Sequence, residues 1–320
     1  MTTQAPLVFI VDPIHSVGAE RLGAAYQVIT PEQGFADPRL EDVTHIVVRT
    51  TELPEGLLAR MPHLRAIVKH GAGVDNIPIP YATSRGMLVC NTPGGNNSTA
   101  VAEGAVALML ALLRQVREMD AVVREDRWGE RWTTRLGDLT GANVGLIGFG
   151  RIARYTAKIC GAGFGAQLAA YDPMVPEAEI EAAGAQPMQL DALLEWADVV
   201  SIHVPLLPGT RDLIGKTELS RMRPSAIIVN CSRGGIISEP ALAEVLAAGT
   251  IAGAGIDVLV AEPPPADHPL FGQPNVILSP HVAGVTESGM KGMALACADT
   301  IDTIVAGERP ANLLNPEILP

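Results

Sequence analysis

Short apolar segments rich in Val and Ile alternate with longer, alanine-rich amphipathic segments along most of the chain. This alternation is typical of βαβ units, in which parallel strands are covered by helices on both faces. The strand candidates read LVFIV, HIVVR, LRAIVKH, MLVCN, VGLIG, LAAYD, VVSIHV, AIIVNCS, GAGIDV and NVILS. The sequence therefore predicts an α/β fold built on parallel sheets.

The strand candidates fall into two groups, separated by a long helical pattern that begins near Ser98. A chain of 320 residues also exceeds the usual size of one domain. A last helical pattern ends at Gly307 and could return the chain to the first group. We expect two Rossmann-like lobes: an outer domain, discontinuous in sequence, of residues 1–99 plus 285–320, and a central domain of residues 100–284.

Composition excludes several classes of partner. A net charge of −12 would repel nucleic acid, and no apolar run approaches the roughly 20 residues of a membrane helix. The first residues lack the pattern of a signal peptide. The cysteines are scattered, which argues against a metal site or a disulfide framework and favours a reducing, cytoplasmic location: Cys90, Cys160, Cys231 and Cys297.

A glycine-rich turn suggests a dinucleotide site. In VGLIGFGRIAR an apolar strand runs into Gly148-x-Gly150-x-x-Ala153 and then into a helical pattern. The first glycine permits a tight turn, the second lets the backbone approach a pyrophosphate, and the small third residue allows close packing of helix on strand. The N–H groups at the start of the helix then face the phosphates.

An acid at the end of the next strand bears on which nicotinamide cofactor is bound. Asp172 lies 24 residues after Gly148, near the spacing expected for a carboxylate that holds a ribose diol. That carboxylate would repel a 2′-phosphate, and no arginine follows it directly. The sequence predicts NAD rather than NADP, with capping of the turn before Pro173 as the alternative role of Asp172.

Three further strand ends carry reactive side chains. Arg233 follows AIIVNCS, Glu262 lies in the loop beyond GAGIDV, and His281 follows NVILSP. Ligands in open α/β sheets bind outside the carboxyl ends of the strands, so we expect these side chains on one rim. Taken singly, each has a structural alternative as an ion-pair partner, a solvated loop charge or a cap.

The three residue types suit reduction of a 2-oxo acid. Arg233 can bind the carboxylate bidentately and polarise the carbonyl. His281 can donate the proton in reduction and accept it in oxidation. Glu262 can hydrogen-bond the imidazole, orient it and stabilise its charged form.

With these motifs in place, the sequence resembles the D-isomer-specific 2-hydroxyacid dehydrogenases, close to phosphoglycerate dehydrogenases and hydroxypyruvate or glyoxylate reductases. The matching stretches, in one order, are VVRTT, GAGVDNI, NTPGGNNSTAVAE, GLIGFGRIA, YDP, HVPLLPGTR, NCSRGGII, AGIDVLVAEPPP and NVILSPHVAG. The resemblance places the family's Arg-Glu-His trio on Arg233, Glu262 and His281. It also implies two α/β lobes with a cleft between them that closes on substrate, and a homodimer formed through the nucleotide lobe. The helix from Ser98 is a candidate for the dimer contact; the alternative is that it packs within its own domain.

The resemblance also implies the remaining cofactor and substrate contacts. The pyrophosphate would be contacted by Arg151 and Ile152. The adenosine and phosphate side would be lined by His203, Pro205 and Thr210. The nicotinamide would be surrounded by Cys231, Ser232 and Asp257, with Ala283 and Gly284. Backbone N–H groups near Ala72 and Gly73 would bind the substrate carboxylate.

The choice of substrate stays open at the level of sequence. Arg49 and Lys69, at the ends of two outer-domain strands, either bind an anionic tail of the substrate or are solvated strand-end charges. Trp128 and Trp132 are expected to pack. Phosphoglycerate dehydrogenases often carry a C-terminal regulatory domain; because the sequence ends at Pro320, we expect none here. The sequence also lacks the substitutions expected of formate- or phosphite-oxidising relatives. The alternative to an enzyme is an NAD-sensing binding protein or co-repressor on the same fold, which would not need the trio.

Overall fold

The structure is a computed structural model that describes residues 6–92 and 97–319. Residues 93–96, part of the motif NTPGGNN, lie outside the described residues. The chain divides into two compact units: one contains the described residues up to Asn97 together with those from Val285 onwards, and the other is Ser98–Gly284.

The described strands are short and mostly buried. They are β1 (Leu7–Ile10), β2 (Gln27–Ile29), β3 (His45–Val48), β4 (Ala66–Lys69), β5 (Leu88–Asn91), β6 (Asn143–Ile147), β7 (Gln167–Tyr171), β8 (Gln186–Pro187), β9 (Val199–Ile202), β10 (Ile227–Asn230), β11 (Gly253–Ile256) and β12 (Val276–Leu278).

Helices connect most of these strands. They are α1 (Ser16–Ala25), α2 (Glu55–Leu58), α3 (Ile79–Ser84), α4 (Asn97–Leu113), α5 (Val116–Arg124), α6 (Arg151–Lys158), α7 (Glu177–Ala182), α8 (Leu190–Trp196), α9 (Lys216–Arg221), α10 (Glu239–Ala247) and α11 (Glu287–Val305). Short 3₁₀ turns occupy Gly34–Ala36, Pro38–Asp42, Trp128–Trp132 and Pro316–Ile318, and a π-helical turn, Ile159–Gly163, extends α6.

The first unit is a five-stranded parallel sheet in the order β2-β1-β3-β4-β5. Alternate side chains of β1 enter different cores: Phe9 packs on one face of the sheet, and Val8 and Ile10 on the other. Helix α11 covers that second face beside α1. The two helices approach so closely that a Cβ on Gly18 would lie 2.6 Å from the Cβ of Ala294.

The second unit is a seven-stranded parallel sheet in the order β12-β11-β10-β9-β6-β7-β8. The strand order reverses between β6 and β9, which is where ligands bind in sheets of this type. The carboxyl ends are in register, so the last residues of six strands form one row: Ile147, Tyr171, Ile202, Asn230, Ile256 and Leu278. The prediction of an α/β fold with two parallel sheets is confirmed.

Two edge strands and one helix break differ from the sequence prediction. All ten predicted apolar runs contain strands, but β2 and β8 were missed because each is short, lies at a sheet edge and carries polar, partly exposed residues. The single long helix predicted from Ser98 is wrong: it is two helices, α4 and α5, bent by 51°. The break falls at Gln115, whose φ of 47° is incompatible with a continuing right-handed helix.

Helix α4 packs within its own unit. A Cβ on Gly104 would lie 2.9 Å from the Cβ of Ala283, and the side chains of Leu108 and Leu112 cover the glycines of β11. In the described part of the chain no single helix is long and apolar enough to cross a membrane; only α4 and α5 taken together pass that test, as a bent pair.

Candidate active site

The glycine-rich turn joins β6 to α6 at the point where the strand order reverses. Gly148 has a φ of 88°, and a Cβ there would lie 2.7 Å from Cγ1 of Val204 and 2.8 Å from the carbonyl carbon of His203. Gly150 is the N-cap of α6, and a Cβ there would meet nothing within 4 Å. The turn is thus tight on one side and open at the helix N-terminus, which fits a pyrophosphate held by backbone N–H groups from Arg151 and Ile152 onwards.

Asp172 follows β7 and faces this turn. Its carboxylate accepts the N–H of Phe149 at 2.8 Å and that of Met174 at 2.9 Å. The turn-capping role that the sequence left open is therefore present. A carboxylate has about four lone-pair sites, so two remain for the hydroxyls of a ribose.

The segment after β9 carries the residues expected on the adenosine side. His203 lies 3.0 Å from the hydroxyl of Ser201 through Nε2, and burial lowers the pKa of His203 to about 4, so its ring is neutral. The hydroxyl of Thr210 donates to the carbonyl of Pro205 at 2.6 Å and accepts the N–H of Leu207 at 2.8 Å. Thr210 thereby stabilises the loop that follows β9 at the carboxyl ends of the strands.

The segment after β10 is held by Asn230, a residue that sequence reasoning missed. Asn230 is buried; its amide donates to the carbonyl of Arg233 at 2.9 Å and its Oδ1 accepts from the hydroxyl of Ser232 at 2.7 Å. Cys231 is buried, and that burial, followed by the charge of Asp257, raises the pKa of its thiol to about 12. Cys231 therefore stays protonated at neutral pH and is a poor target for oxidants.

Asp257 anchors the loop that bears His281. Its buried carboxylate accepts the N–H groups of Val282 and Ala283, both at 2.9 Å, as well as the hydroxyl of Ser279. The backbone carbonyl of Asp257 accepts the N–H of His281 at 2.7 Å. Sequence reasoning placed Asp257 only beside the nicotinamide, because a bond between two strand ends leaves no signal in either motif.

Glu262 and His281 form the central pair of the site. Nδ1 of His281 lies 2.8 Å from Oε2 of Glu262. The side chain of His281 is 40% exposed and that of Glu262 is 38% exposed. Because Nδ1 faces the carboxylate, Nε2 is left to exchange a proton with a ligand. His281 has a φ of 55°, unusual for a residue other than glycine, and its N–H bond to Asp257 holds this conformation.

Charge and hydrogen bonding keep Glu262 ionised. Burial opposes ionisation, but hydrogen bonds from His281 and from the N–H of Leu259, at 3.0 Å, outweigh it, and the net effect lowers the pKa of Glu262. The positive charge of Arg233 contributes to the same shift. The structure thus brings the three predicted side chains together at neighbouring strand ends.

A pocket of about 400 Å³ adjoins this pair. Glu262 and His281 line it together with Asp257 and Ser279, and the other lining residues are apolar, including Pro263, Phe271 and Leu278. An apolar wall next to the polar side chains of Glu262 and His281 lowers the local dielectric and strengthens their interactions with a ligand.

In the first unit the predicted substrate residues lie at the carboxyl ends of β3 and β4. Lys69 is buried, and its ammonium donates to the carbonyl of Arg49 and to Oδ1 of Asn76, so it is not a solvated strand-end charge. Arg49 is partly buried, and within residues 6–92 and 97–319 its guanidinium forms no hydrogen bond or ion pair.

The loop after β4 contains Ala72 and Gly73. In this loop the N–H of Gly71 donates to the hydroxyl of Thr92 at 2.9 Å, and the carbonyl of Ala72 accepts from the side-chain amide of Asn91 at 2.8 Å. His70, beside this loop, is buried with no hydrogen-bond partner for either ring nitrogen among the described residues. Burial, followed by the nearby charge of Arg49, lowers the pKa of His70 to about 4 and keeps it neutral.

Comparison with known proteins gives one family. The family model of the D-isomer specific 2-hydroxyacid dehydrogenase NAD binding domain matches residues 106–283, more than half of the chain. A glyoxylate reductase of Thermococcus litoralis is 37% identical over 98% of both chains. A D-3-phosphoglycerate dehydrogenase of Archaeoglobus fulgidus is 39% identical over 86% of this chain, but the match spans 52% of that protein.

Solved structures agree with this result. The crystal structure of an NADPH-dependent glyoxylate/hydroxypyruvate reductase from Sinorhizobium meliloti, in complex with NADP and malonate, superposes with a TM-score of 0.86 at 28% identity. The superposition covers 97% of this chain and 97% of the reductase chain. The likeness therefore extends over both units.

Proposed function

Since the chain belongs to the D-isomer specific 2-hydroxyacid dehydrogenases, we propose that Arg233, Glu262 and His281 interconvert a small 2-oxo acid and its 2-hydroxy acid. Membership of the family makes the protein an oxidoreductase that uses a nicotinamide cofactor. The names of its relatives lend no support to a non-enzymatic sensor. The observation that carries the proposal is the Glu262–His281 hydrogen bond of 2.8 Å, within reach of the charge of Arg233.

The three side chains divide the chemistry among them. The bound cofactor supplies or accepts the hydride. Arg233 binds the substrate carboxylate and draws electron density from the carbonyl oxygen. His281 donates a proton from Nε2 to that oxygen in reduction and removes it in oxidation, while ionised Glu262 stabilises the imidazolium and fixes the ring. We assign the nucleotide to the second unit and substrate selection to the first, where Ala72 and Gly73 offer backbone N–H groups to the carboxylate.

The experiment that tests the proposal is oxidation of NADH, repeated with NADPH, in the presence of candidate 2-oxo acids. The panel contains glyoxylate, hydroxypyruvate, pyruvate, 3-phosphohydroxypyruvate, sulfopyruvate and oxaloacetate. Turnover of any of these acids supports the proposal. NADH binding without turnover of any of them contradicts it.

We propose NAD as the preferred cofactor because of Asp172. Replacing Asp172 by asparagine removes the charge that repels a 2′-phosphate and one acceptor for the ribose. We expect the ratio of kcat/KM for NADH over NADPH to fall about 10- to 100-fold, as for one or two charge-assisted hydrogen bonds. Asp138→Asn, which alters an exposed ion pair with Arg114, is the control and should leave the ratio unchanged. A ratio that does not move with Asp172→Asn would leave Asp172 as a turn cap only.

We propose that Arg49, rather than Lys69, binds an anionic tail of the preferred substrate. Among the described residues the guanidinium of partly buried Arg49 forms no hydrogen bond or ion pair, whereas the ammonium of Lys69 already has two acceptors. Arg49→Ala should raise KM about 10- to 100-fold for a doubly anionic acid such as 3-phosphohydroxypyruvate, and leave KM for glyoxylate unchanged. Arg39→Ala is the matched control, because Arg39 is paired with Asp37 at 2.8 Å. An equal loss with both acids would contradict a role for Arg49 in tail binding.

The same proposal includes a cytoplasmic homodimer. All four cysteines are free and buried, which suits a reducing compartment. The segment from Val116 to Leu136 exposes large apolar side chains, among them Trp128 at 56% and Trp132 at 79%, contrary to the expectation that both tryptophans pack. We place the dimer contact on this segment rather than on α4. Sedimentation equilibrium tests it: the wild type should be a dimer and Trp132→Glu a monomer, and a wild-type monomer would rule it out.

A further inference from the structure

The loop between β11 and β12 carries Glu262 but contains no helix or strand of its own. A catalytic carboxylate on such a loop needs something rigid to hold it in place. The structure supplies this from α10, through the carboxylate of Glu239, the first residue of that helix. Glu239 plays no part in the proposed chemistry.

The first half of the loop is fixed to Glu239 through its backbone. Oε1 of Glu239 accepts the N–H of Val260 at 2.7 Å. At the same point the loop lies directly on Gly234: a Cβ on Gly234 would be 2.1 Å from the carbonyl carbon of Leu259. The chain at Leu259 and Val260 is therefore held by a hydrogen bond on one side and by backbone packing on the other.

The second half of the loop is fixed to the other oxygen of the same carboxylate. Oε2 of Glu239 lies 3.0 Å from Nε2 of His268, a residue that is 6% exposed. Nδ1 of His268 accepts the N–H of Leu270 at 3.4 Å, so the ring proton is on Nε2 and is donated to Glu239. One carboxylate thus ties both halves of the loop to α10.

Glu262 lies in the loop between Val260 and His268, the two residues bonded to Glu239, and hydrogen bonds connect it to the backbone next to Val260. The N–H of Leu259 donates to Oε1 of Glu262 at 3.0 Å, and Oε2 of Glu262 bonds His281 at 2.8 Å. Glu262 bonds His281 and interacts with the positive charge of Arg233, while Glu239 bonds His268. A shift of the loop at Val260 therefore acts directly on the Glu262–His281 hydrogen bond.

We propose that Glu239 and His268 are positioning residues, which set the Glu262–His281 hydrogen bond by clamping the intervening loop at both ends. The proposal rests on the proposed function for its effect on turnover, but not for its effect on the hydrogen bond itself. Val260 is 62% exposed, so water can replace Glu239 as the acceptor of its N–H. Water cannot reproduce the fixed position, so we expect kcat to fall; because His268 is buried, loss of its acceptor should lower Tm as well.

The test compares three variants with the wild type. Glu239→Ala removes both ties, and His268→Phe keeps a ring beside Phe271 but donates nothing. Glu244→Gln is the matched control, because Glu244 lies on the same helix and forms an exposed ion pair with Lys216 at 2.8 Å. For each variant we would measure kcat per NADH-binding site, KM for the 2-oxo acid, the Kd of NADH and Tm.

We expect Glu239→Ala to lower kcat about 10- to 100-fold, the loss typical of a misplaced catalytic group, with KM and the Kd of NADH unchanged. His268→Phe should lose less, and Glu244→Gln nothing. The acid limb of the pH profile should move to higher pH in Glu239→Ala. Glu262 is needed as the ion, and the hydrogen bonds that lower its pKa are weakened when the loop shifts.

A proton NMR measurement gives a readout independent of turnover. The Nδ1 proton of a histidine bonded to a carboxylate gives a downfield resonance, which the variant His281→Asn would assign. This resonance should be lost or shifted upfield in Glu239→Ala and retained in Glu244→Gln. An unchanged resonance, or a lower Tm with unchanged kcat and pH profile, would overturn the proposal and leave Glu239 a purely structural residue. Absence of turnover in the wild type would instead count against the proposed function alone.

Discussion

Replacing His281 by asparagine should lower kcat for 2-oxo acid reduction by about 10²- to 10⁴-fold, the usual contribution of a positioned general acid. The variant should still fold and bind NADH, because the backbone bond from residue 281 to the carbonyl of Asp257 does not involve the ring. Asparagine also tolerates the positive φ of 55° found at this position. Stopped-flow or steady-state oxidation of NADH, with Kd measured by cofactor fluorescence, gives both quantities.

The first unit offers a matched control for this variant. His15 lies 2.8 Å from Glu287, the same distance as in the Glu262–His281 pair, and its Nδ1 caps α1. His15→Asn retains a capping side chain and should leave kcat unchanged. If His281→Asn kept near-normal turnover, the assignment of His281 as the proton donor would be wrong.

Adding a methyl group at Gly148 should abolish cofactor binding by disrupting the fold of the turn itself. An alanine there must adopt a φ of 88° and brings its Cβ within 2.8 Å of the backbone of His203, which cannot move without shifting β9. Left-handed backbone and overpacking together cost about 2–5 kcal/mol. We therefore expect Gly148→Ala to show a clear fall in Tm as well as loss of NADH binding by calorimetry.

Gly150→Ala separates cofactor binding from stability. Gly150 has a φ of −75° and open space where a Cβ would lie, so Tm of the protein without cofactor should be unchanged. The added methyl group would occupy the side from which the pyrophosphate approaches, and we expect the Kd of NADH to rise about 10- to 100-fold. Unchanged NADH affinity in Gly150→Ala would place the pyrophosphate elsewhere.

The parts of the site that follow from local sequence were predictable. Gly148, Asp172, Arg233 and His281 each follow an apolar run, and the register of parallel strands puts the ends of such runs in one row. The apolar runs themselves predicted ten strands because buried parallel strands have few polar residues.

The features that sequence reasoning missed depend on the path of the loops. Asp257 bonds to residues 25 and 26 positions away, and Glu239 to His268, 29 positions away. No periodicity records such pairs, since they exist only once the loops are folded. The burial of Lys69 was likewise hidden, because the backbone carbonyl of Arg49 and the side-chain amide of Asn76, which accept from its ammonium, carry no charge.

The first unit is built from two separate parts of the chain, and this has a consequence for protein synthesis. Its sheet is completed by late residues: the carboxamide of Asn315 bonds the backbone of Met87 and Val89, and Ile301 of α11 packs in the core against Val8 and Ile10. The second unit is continuous in sequence and lies between these two parts. On the ribosome, the second unit can therefore fold before the first, whose early strands must wait, with one apolar face uncovered, until α11 has emerged.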